Sequence, residues 1–181
     1  MSNYQLVSFS PTHFYESIVI FNQEFGKDYI SFEEIDKQYK INTFLGYGVV
    51  DNASKELIGL CLGYTNYTAE EQFKLPLPKE YVYLKSIVVR RDCHGKGIGK
   101  RLLAEFIKKA DEVRQDIFST VWVKEHTISV FEKMLAKSQF VLCSEHKNYW
   151  QERSMIEKFE CEKCGSPPCT CTMRVYAKKI Q

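Results

Sequence analysis

Residues 81–113 read Y-V-Y-L-K-S-I-V-V-R-R-D-C-H-G-K-G-I-G-K-R-L-L-A-E-F-I-K-K-A-D-E-V. Residues 81–89 are rich in Tyr, Ile and Val and hold no Gly or Pro, which predicts a buried strand. Gly95, Gly97 and Gly99 then fall at every second position. From Lys100 the period changes. Leu102, Leu103, Phe106, Ile107, Ala110 and Val113 share one helical face, with Lys100, Arg101, Glu105, Lys108, Lys109 and Glu112 largely opposite. A strand feeding a glycine turn that opens a helix places bare backbone N–H groups at a positive helix end. Such a turn is an anion site, and phosphate is the usual anion.

The glycine spacing narrows the ligand. A phosphate-binding loop of the G-x4-G-K-[ST] type fails because Arg101 follows Gly99-Lys100 and no glycine stands five positions before Gly99. The dinucleotide pattern G-x-G-x-x-G fails because this turn is G-x-G-x-G. The stretch resembles instead the acyl-CoA-binding motif of the GNAT N-acetyltransferases, [QR]-x-x-G-x-[GA] after a strand end. Ile87, Val88 and Val89 match the strand end; His94, Gly95, Lys96, Gly97, Ile98 and Gly99 match the loop. His94 departs from the usual Gln or Arg. The resemblance is specific over residues 81–140 and topological elsewhere.

That resemblance implies an α/β (α+β) fold: a mixed, mostly antiparallel sheet of about seven strands with a splayed parallel pair and flanking helices. The residue patterns agree in order. Residues 4–8 predict a strand. Ser10-Pro11 is a helix start, and Gly26 its stop. Ser31 with Glu34 forms a capping box for a second helix, with Ile35, Tyr39 and Phe32 as its apolar face. Residues 43–50 and 57–64 predict a hairpin around Asp51-Asn52-Ala53-Ser54, followed by a loop over 65–79. Residues 117–123 predict a strand, 127–137 a helix capped by Thr127 with Ile128, Phe131, Met134 and Leu135 inward, and 140–149 and 173–180 the last two strands.

With 181 residues, 44% of them hydrophobic and 27% charged, the chain suits a single soluble domain over 1–181. A net charge of +2 gives no electrostatic case for nucleic acid. No leader-like or membrane-spanning run is evident, so a cytoplasmic protein without membrane contact, a monomer or homodimer, is expected.

The resemblance implies acetyl-CoA as cosubstrate and a small-molecule or peptide amine as acceptor. The backbone amides at 95–100 match the pyrophosphate cradle, to which Lys96, Lys100 and Arg101 add charge. The strand edge at Ile87 and Val89 matches the rail for the pantetheine, beside the strand at 117–123, with a backbone N–H near that splay for the oxyanion. Proton handling is less legible. An alkyl ammonium, pKa about 10.4, must lose a proton before it attacks. The tyrosine that the family often places after that strand aligns with Phe131, which leaves Glu125, His126 and Tyr83 as candidates, with Glu80 as an alternative. Without turnover, the same fold would be a CoA-binding or sensor module. Glu24, Asp28, Glu33, Glu34 and Asp36 hint at a cationic acceptor, or are a solvated face. Cys61 and Cys93 read as small apolar residues, since direct amine attack needs no acyl-enzyme.

Four of seven cysteines crowd one segment as Cys161-x2-Cys164-Gly165 and Cys169-x-Cys171. The first half resembles a zinc knuckle, and the set predicts a structural Zn2+ in a loop over 158–172, with a chance cluster or a redox pair as the alternative. Lys158 and Lys163 alternate with Glu157, Glu160 and Glu162, which argues against a nucleic-acid role for this loop.

Overall fold

A computed structural model describes residues 3–68, 80–124 and 127–180. The strands are β1 (Tyr4–Ser8), β2 (Phe44–Asp51), β3 (Leu57–Tyr67), β4 (Tyr81–Val89), β5 (Ile117–Val123), β6 (Val141–His146) and β7 (Thr172–Lys178). The helices are α1 (Phe14–Phe25), α2 (Phe32–Tyr39), α3 (Ile98–Val113), α4 (Val130–Lys137) and α5 (Gln151–Glu157). The strand order is β1-β2-β3-β4-β5-β7-β6. The sheet is mostly antiparallel with one parallel pair, β4/β5. Two compact units divide the chain: one of the described residues up to Ile117 with Ile180, the other Phe118–Lys179.

In the first unit, α1 and α2 cover one face of the sheet and α3 the other. Phe14, Ile20, Phe21 and Ile35 form one core cluster with Leu57, Leu60, Leu62 and Val88. Leu102, Leu103, Phe106 and Ala110 are the buried stripe of α3. Covered on both faces, β3 reads L-I-G-L-C-L-G-Y, with every one of those residues buried. Gly63 is a steric necessity. A Cβ on Gly63 would lie 2.2 Å from the Tyr83 carbonyl and 2.5 Å from Phe106. Asp51 closes the β2–β3 turn by accepting the N–H groups of Ala53 and Ser54.

Several boundaries differ from the sequence expectation. The α3 helix begins at Ile98, with Gly97 as N-cap, so Gly99 lies inside its first turn. Strand β3 runs on to Tyr67, into the expected loop. Ser129, not Thr127, caps α4: it accepts the Glu132 N–H while the Glu132 carboxylate accepts its own. Thr127 turns its hydroxyl back to the Lys124 carbonyl. Ile128 lies outside α4 and is exposed. Strand β6 stops at His146, and the short helix α5 follows, which the sequence reading missed.

In the second unit the antiparallel pair β6–β7 carries Arg174 opposite Glu145. Arg174 donates to Glu145 at 2.6 Å, to Glu132 at 2.9 Å and to the Thr127 carbonyl at 2.9 Å. Tyr176 adds its hydroxyl to Glu132 at 2.9 Å. Glu132 is 2% exposed, so these donors replace the water it lost on folding.

Candidate acyl-carrier cradle and thiol centre

Strand β4 delivers the chain to a turn whose geometry fits an anion. A short 3-10 turn, Arg91–Cys93, follows the strand. Gly95 and Gly97 both sit at φ +77°, a backbone that side chains with a Cβ rarely adopt. An added Cβ at either would meet nothing within 4 Å, so these glycines answer to backbone shape and face open space. No side chain caps α3. Its first intrahelical N–H belongs to Arg101, which bonds the Gly97 carbonyl at 3.1 Å. The N–H groups ahead of it, at Ile98, Gly99 and Lys100, point out of the start of a helix 16 residues long. Orphan donors and the helix dipole make that end electropositive.

The surrounding side chains hold this turn in place. His94 donates Nε2–H to the Val89 carbonyl at 2.7 Å, folding the loop back on the strand end. Arg90 grips Asp92 and Glu56. Arg91 pairs with Glu24 at 3.2 Å, and Arg101 donates to the Tyr4 carbonyl at 3.0 Å. Lys96 reaches the buried Cys93 thiol at 3.8 Å. Of the charges expected to favour an anion, Arg101 is therefore already engaged at the β1 edge. Three of the acidic residues near α1 and α2 are also engaged. Glu24 takes Arg91 and lies 3.8 Å from His94, Asp36 takes Lys40 at 2.6 Å, and Glu34 accepts the Ser31 N–H at 2.8 Å.

Further back along β4 the register slips. Leu62 opposes Ser86 while Gly63 opposes Leu84, so Lys85 is the extra residue of a β-bulge. A bulge leaves backbone groups outside the ladder. Tyr83 stands opposite Tyr64 and stacks on Tyr67 with ring centroids 4.9 Å apart. Burial pushes the Tyr64 phenol up to about 12 and the Cys61 thiol well above its usual value, so both stay protonated. Cys61 therefore lacks the thiolate that a nucleophile needs. Glu125 and His126 lie outside the described residues, and Glu80 is exposed beside β4.

The second unit brings the four cysteines of the 161–171 segment together. The Sγ atoms of Cys161, Cys164, Cys169 and Cys171 lie within 4.8 Å of one another. Cys171 is 3.8 Å from Cys161 and 3.3 Å from Cys164. A tetrahedral ion with metal–sulfur bonds near 2.3 Å sets its sulfurs ~3.8 Å apart, so the cluster fits one. The knuckle turn is built for sulfur. Gly165, at φ +79°, lets its N–H reach the Cys161 carbonyl at 2.7 Å, and the Lys163 N–H points at Cys161 Sγ at 3.4 Å. Ser154 of α5 accepts the Cys169 N–H at 2.8 Å. Trp122 and Trp150, stacked at 4.7 Å, and Phe159 pack against the thiols. Crowding splits the thiols. Burial opposes ionisation of Cys164, but hydrogen bonds from Thr170 and the neighbouring cysteines outweigh it and bring it down to about 6. Burial and those same neighbours push Cys171 strongly up.

Comparisons with known proteins agree with this geometry. A model of the acetyltransferase (GNAT) family matches residues 13–135. No curated protein matches by sequence. Among solved structures, NAA60 of Arabidopsis thaliana with a bisubstrate analogue superposes with TM-score 0.73 at 11% identity, covering 98% of each chain. A phosphinothricin acetyltransferase of Sinorhizobium meliloti with AcCoA gives 0.69 at 14%, covering 99% of this chain and 89% of that one. A ribosomal-protein-alanine N-acetyltransferase of Brucella melitensis gives 0.67 at 14%, covering 97% and 99%. At such identities the structural likeness establishes the fold. Among the described residues, no helix is long and apolar enough to cross a membrane.

Proposed function

The chain belongs to the acetyltransferase (GNAT) family, and from that membership we propose that it moves the acetyl group of acetyl-CoA directly onto a primary amine within a ternary complex. The observation that carries the proposal is the uncapped start of α3 behind two left-handed glycines. The pyrophosphate binds the N–H groups of residues 95–100, and Lys96 and Lys100 supply charge. The pantetheine follows the β4 edge at Ile87 and Val89, which brings the thioester toward the bulge at Lys85. A backbone N–H released there stabilises the tetrahedral oxyanion. The amine attacks the thioester carbon, the C–S bond breaks, and CoA leaves as thiolate or thiol once a proton reaches it. Glu125, His126 and Tyr83 are the candidates for carrying the amine's proton away.

Gly97→Val tests the cradle. Among the described residues nothing crowds that position, so the substitution costs only backbone strain, about 1–3 kcal/mol. The apo variant should stay folded, and acetyl-CoA should no longer raise its melting temperature. A retained ligand shift would show that the phosphate lies elsewhere. Acetyl-CoA binding without CoA release on any amine would leave a carrier-binding module in place of an enzyme.

We also propose one structural Zn2+ per chain, held by Cys161, Cys164, Cys169 and Cys171. The support is the sulfur geometry, four Sγ atoms within 4.8 Å of one another. Zinc adds no step to acetyl transfer; it ties α5 and the segment before β7 to one point. Elemental analysis of protein purified without chelator tests it directly.

A further inference from the structure

The four sulfurs of the 161–171 segment are not equivalent. Cys161, Cys169 and Cys171 are each 3% exposed or less, whereas Cys164 is only half-buried. A small solute arriving from water therefore meets Cys164 first. Cys171 Sγ lies 3.3 Å from Cys164 Sγ, closer than the 3.8 Å between Cys161 and Cys171. Thr170 Oγ1 stands 3.6 Å from Cys164 Sγ and can donate its proton to a thiolate there. A disulfide needs about 2 Å between its sulfurs, so this pair has only about 1 Å to close. An open thiolate backed by a second one is the arrangement in which sulfur is oxidised reversibly. The second thiol captures the first oxidation product before it goes further.

The attachments of the segment show what such a bond would move. The N–H groups of Cys164 and Gly165 both return to the Cys161 carbonyl, at 3.2 and 2.7 Å, so Cys164 rides on a closed turn. Its neighbour Lys163 donates Nζ to the Trp122 carbonyl on β5. On the other side, Ser154 of α5 holds the Cys169 N–H at 2.8 Å, and Cys171 directly precedes β7. Closing the sulfur gap therefore draws the turn toward a fixed strand end. Lys163 moves with it, and so does the packing of Trp122 and Trp150 against the thiols. Of the other three cysteines, Cys61 and Cys93 are buried and Cys143 is exposed on β6, outside the cluster.

We propose that the thiol centre is a reversible oxidation site for hydrogen peroxide, in which Cys164 reacts and Cys171 resolves. The proposal rests on the zinc reading, in which the four sulfurs are thiolate ligands. The Cys164 thiolate attacks one peroxide oxygen; the O–O bond breaks, a sulfenic acid forms and hydroxide leaves. The Cys171 thiolate then attacks the Cys164 sulfur; the S–O bond breaks, the S–S bond forms and a second hydroxide leaves. Two electrons pass from the sulfur pair to the peroxide, whose oxygens end as water once protonated. Cys161 and Cys169 alone are half of a four-thiolate set, so the ion departs. A dithiol reductant returns the two electrons and restores the site.

The test uses the full-length chain carrying Cys143→Ser, which removes the competing exposed thiol, purified reduced and without chelator. Hydrogen peroxide is added at low excess, zinc release is followed with a chromogenic chelator, and oxidised sulfurs are mapped by mass spectrometry. One zinc per chain should be lost together with formation of one disulfide, Cys164–Cys171, and dithiothreitol with zinc should reverse both. Cys164→His keeps a ligand at that position without its sulfur and should slow zinc release by about ten-fold or more. The mapping decides the matter whether or not that variant holds its ion: Cys164 must be the first of the four sulfurs oxidised. Zinc retained through the treatment, a disulfide that omits Cys164, or oxidation that dithiothreitol does not reverse overturns the proposal and leaves the structural zinc standing. Reduced protein that contains no zinc defeats the zinc reading itself, and the proposal with it.

Discussion

If the four-cysteine centre holds the proposed zinc, removing the metal should be visible at once in the tryptophan emission. The chain has two tryptophans, Trp122 and Trp150, and both stack against the thiols, so every indole reports on this site. Cys161, Cys169 and Cys171 are each 3% exposed or less. Two thiolates ~4 Å apart repel by about 4 kcal/mol at an effective dielectric of 20. The metal-free cluster must therefore hold protons, and metal uptake must release them. If free zinc stands at a thousand times its dissociation constant, occupancy stabilises the folded state by about 4 kcal/mol. For a chain of this size each kcal/mol moves the melting temperature by roughly 2–4 °C, so stripping the ion should lower it by roughly 8–16 °C. Cys164→Ser should release the ion, shift the emission and reproduce that loss, while acetyl-CoA still raises the melting temperature through the 95–100 turn. Chelation should be faster in acid, where protons compete for sulfur. Protein that contains no metal and melts at the same temperature with and without chelator would refute the zinc reading and leave the acetyltransferase reading intact.

Two further outcomes follow from side chains already placed. Glu132 has its pKa lowered: burial opposes this, but the Ser129 N–H, Arg174 and Tyr176 outweigh it. Its stabilising contribution is complete above the unfolded value near 4.3 and is lost as pH falls through the lower folded value. Glu132→Gln should cost about 3 kcal/mol at neutral pH, the low end for a broken buried pair because Arg174 keeps Glu145. Denaturant titrations across the acid range should show the gap to wild type closing as pH drops; a constant gap would contradict the assignment. If Glu125 or His126 carries the proton path, Glu125→Gln or His126→Ala should lower turnover with little change in acetyl-CoA affinity. Full activity in both variants would move the search to Tyr83 or a water chain.

The elements were legible wherever local signals agreed. Capping boxes at Ser31 and stops at Gly26 are decided within a few residues, and both stand in the structure. Strand β4 and the amphipathic α3 carry strong periodicity. The α4 start was misplaced because Thr127 and Ser129 are both good caps, and the choice lies in Glu132 three residues after Ser129. Helix α5 is seven residues long and lacks a capping side chain, so it shows little beyond its packing. The cysteine spacing brought four sulfurs into one site, but their link to Trp122 and Trp150 is tertiary. Lys85 went unremarked because a bulge is a mismatch between two strands, and neither strand's sequence displays it alone. One signal was available: a single charge in an otherwise uncharged strand.

The dense burial of β3 has a consequence for the chain before it folds. L-I-G-L-C-L-G-Y carries no charge and no proline, so nothing in it discourages pairing with a second copy of itself. In the finished protein β2 and β4 occupy both its edges. During synthesis β2 arrives first, through a short turn, whereas β4 and the covering face of α3 emerge later. Until they do, one edge of the most apolar strand is an open template for misassembly. Yield in a cell should accordingly depend on chaperone supply and growth temperature, and a charge placed within β3 would protect the nascent chain only by ruining the sheet it is meant to join.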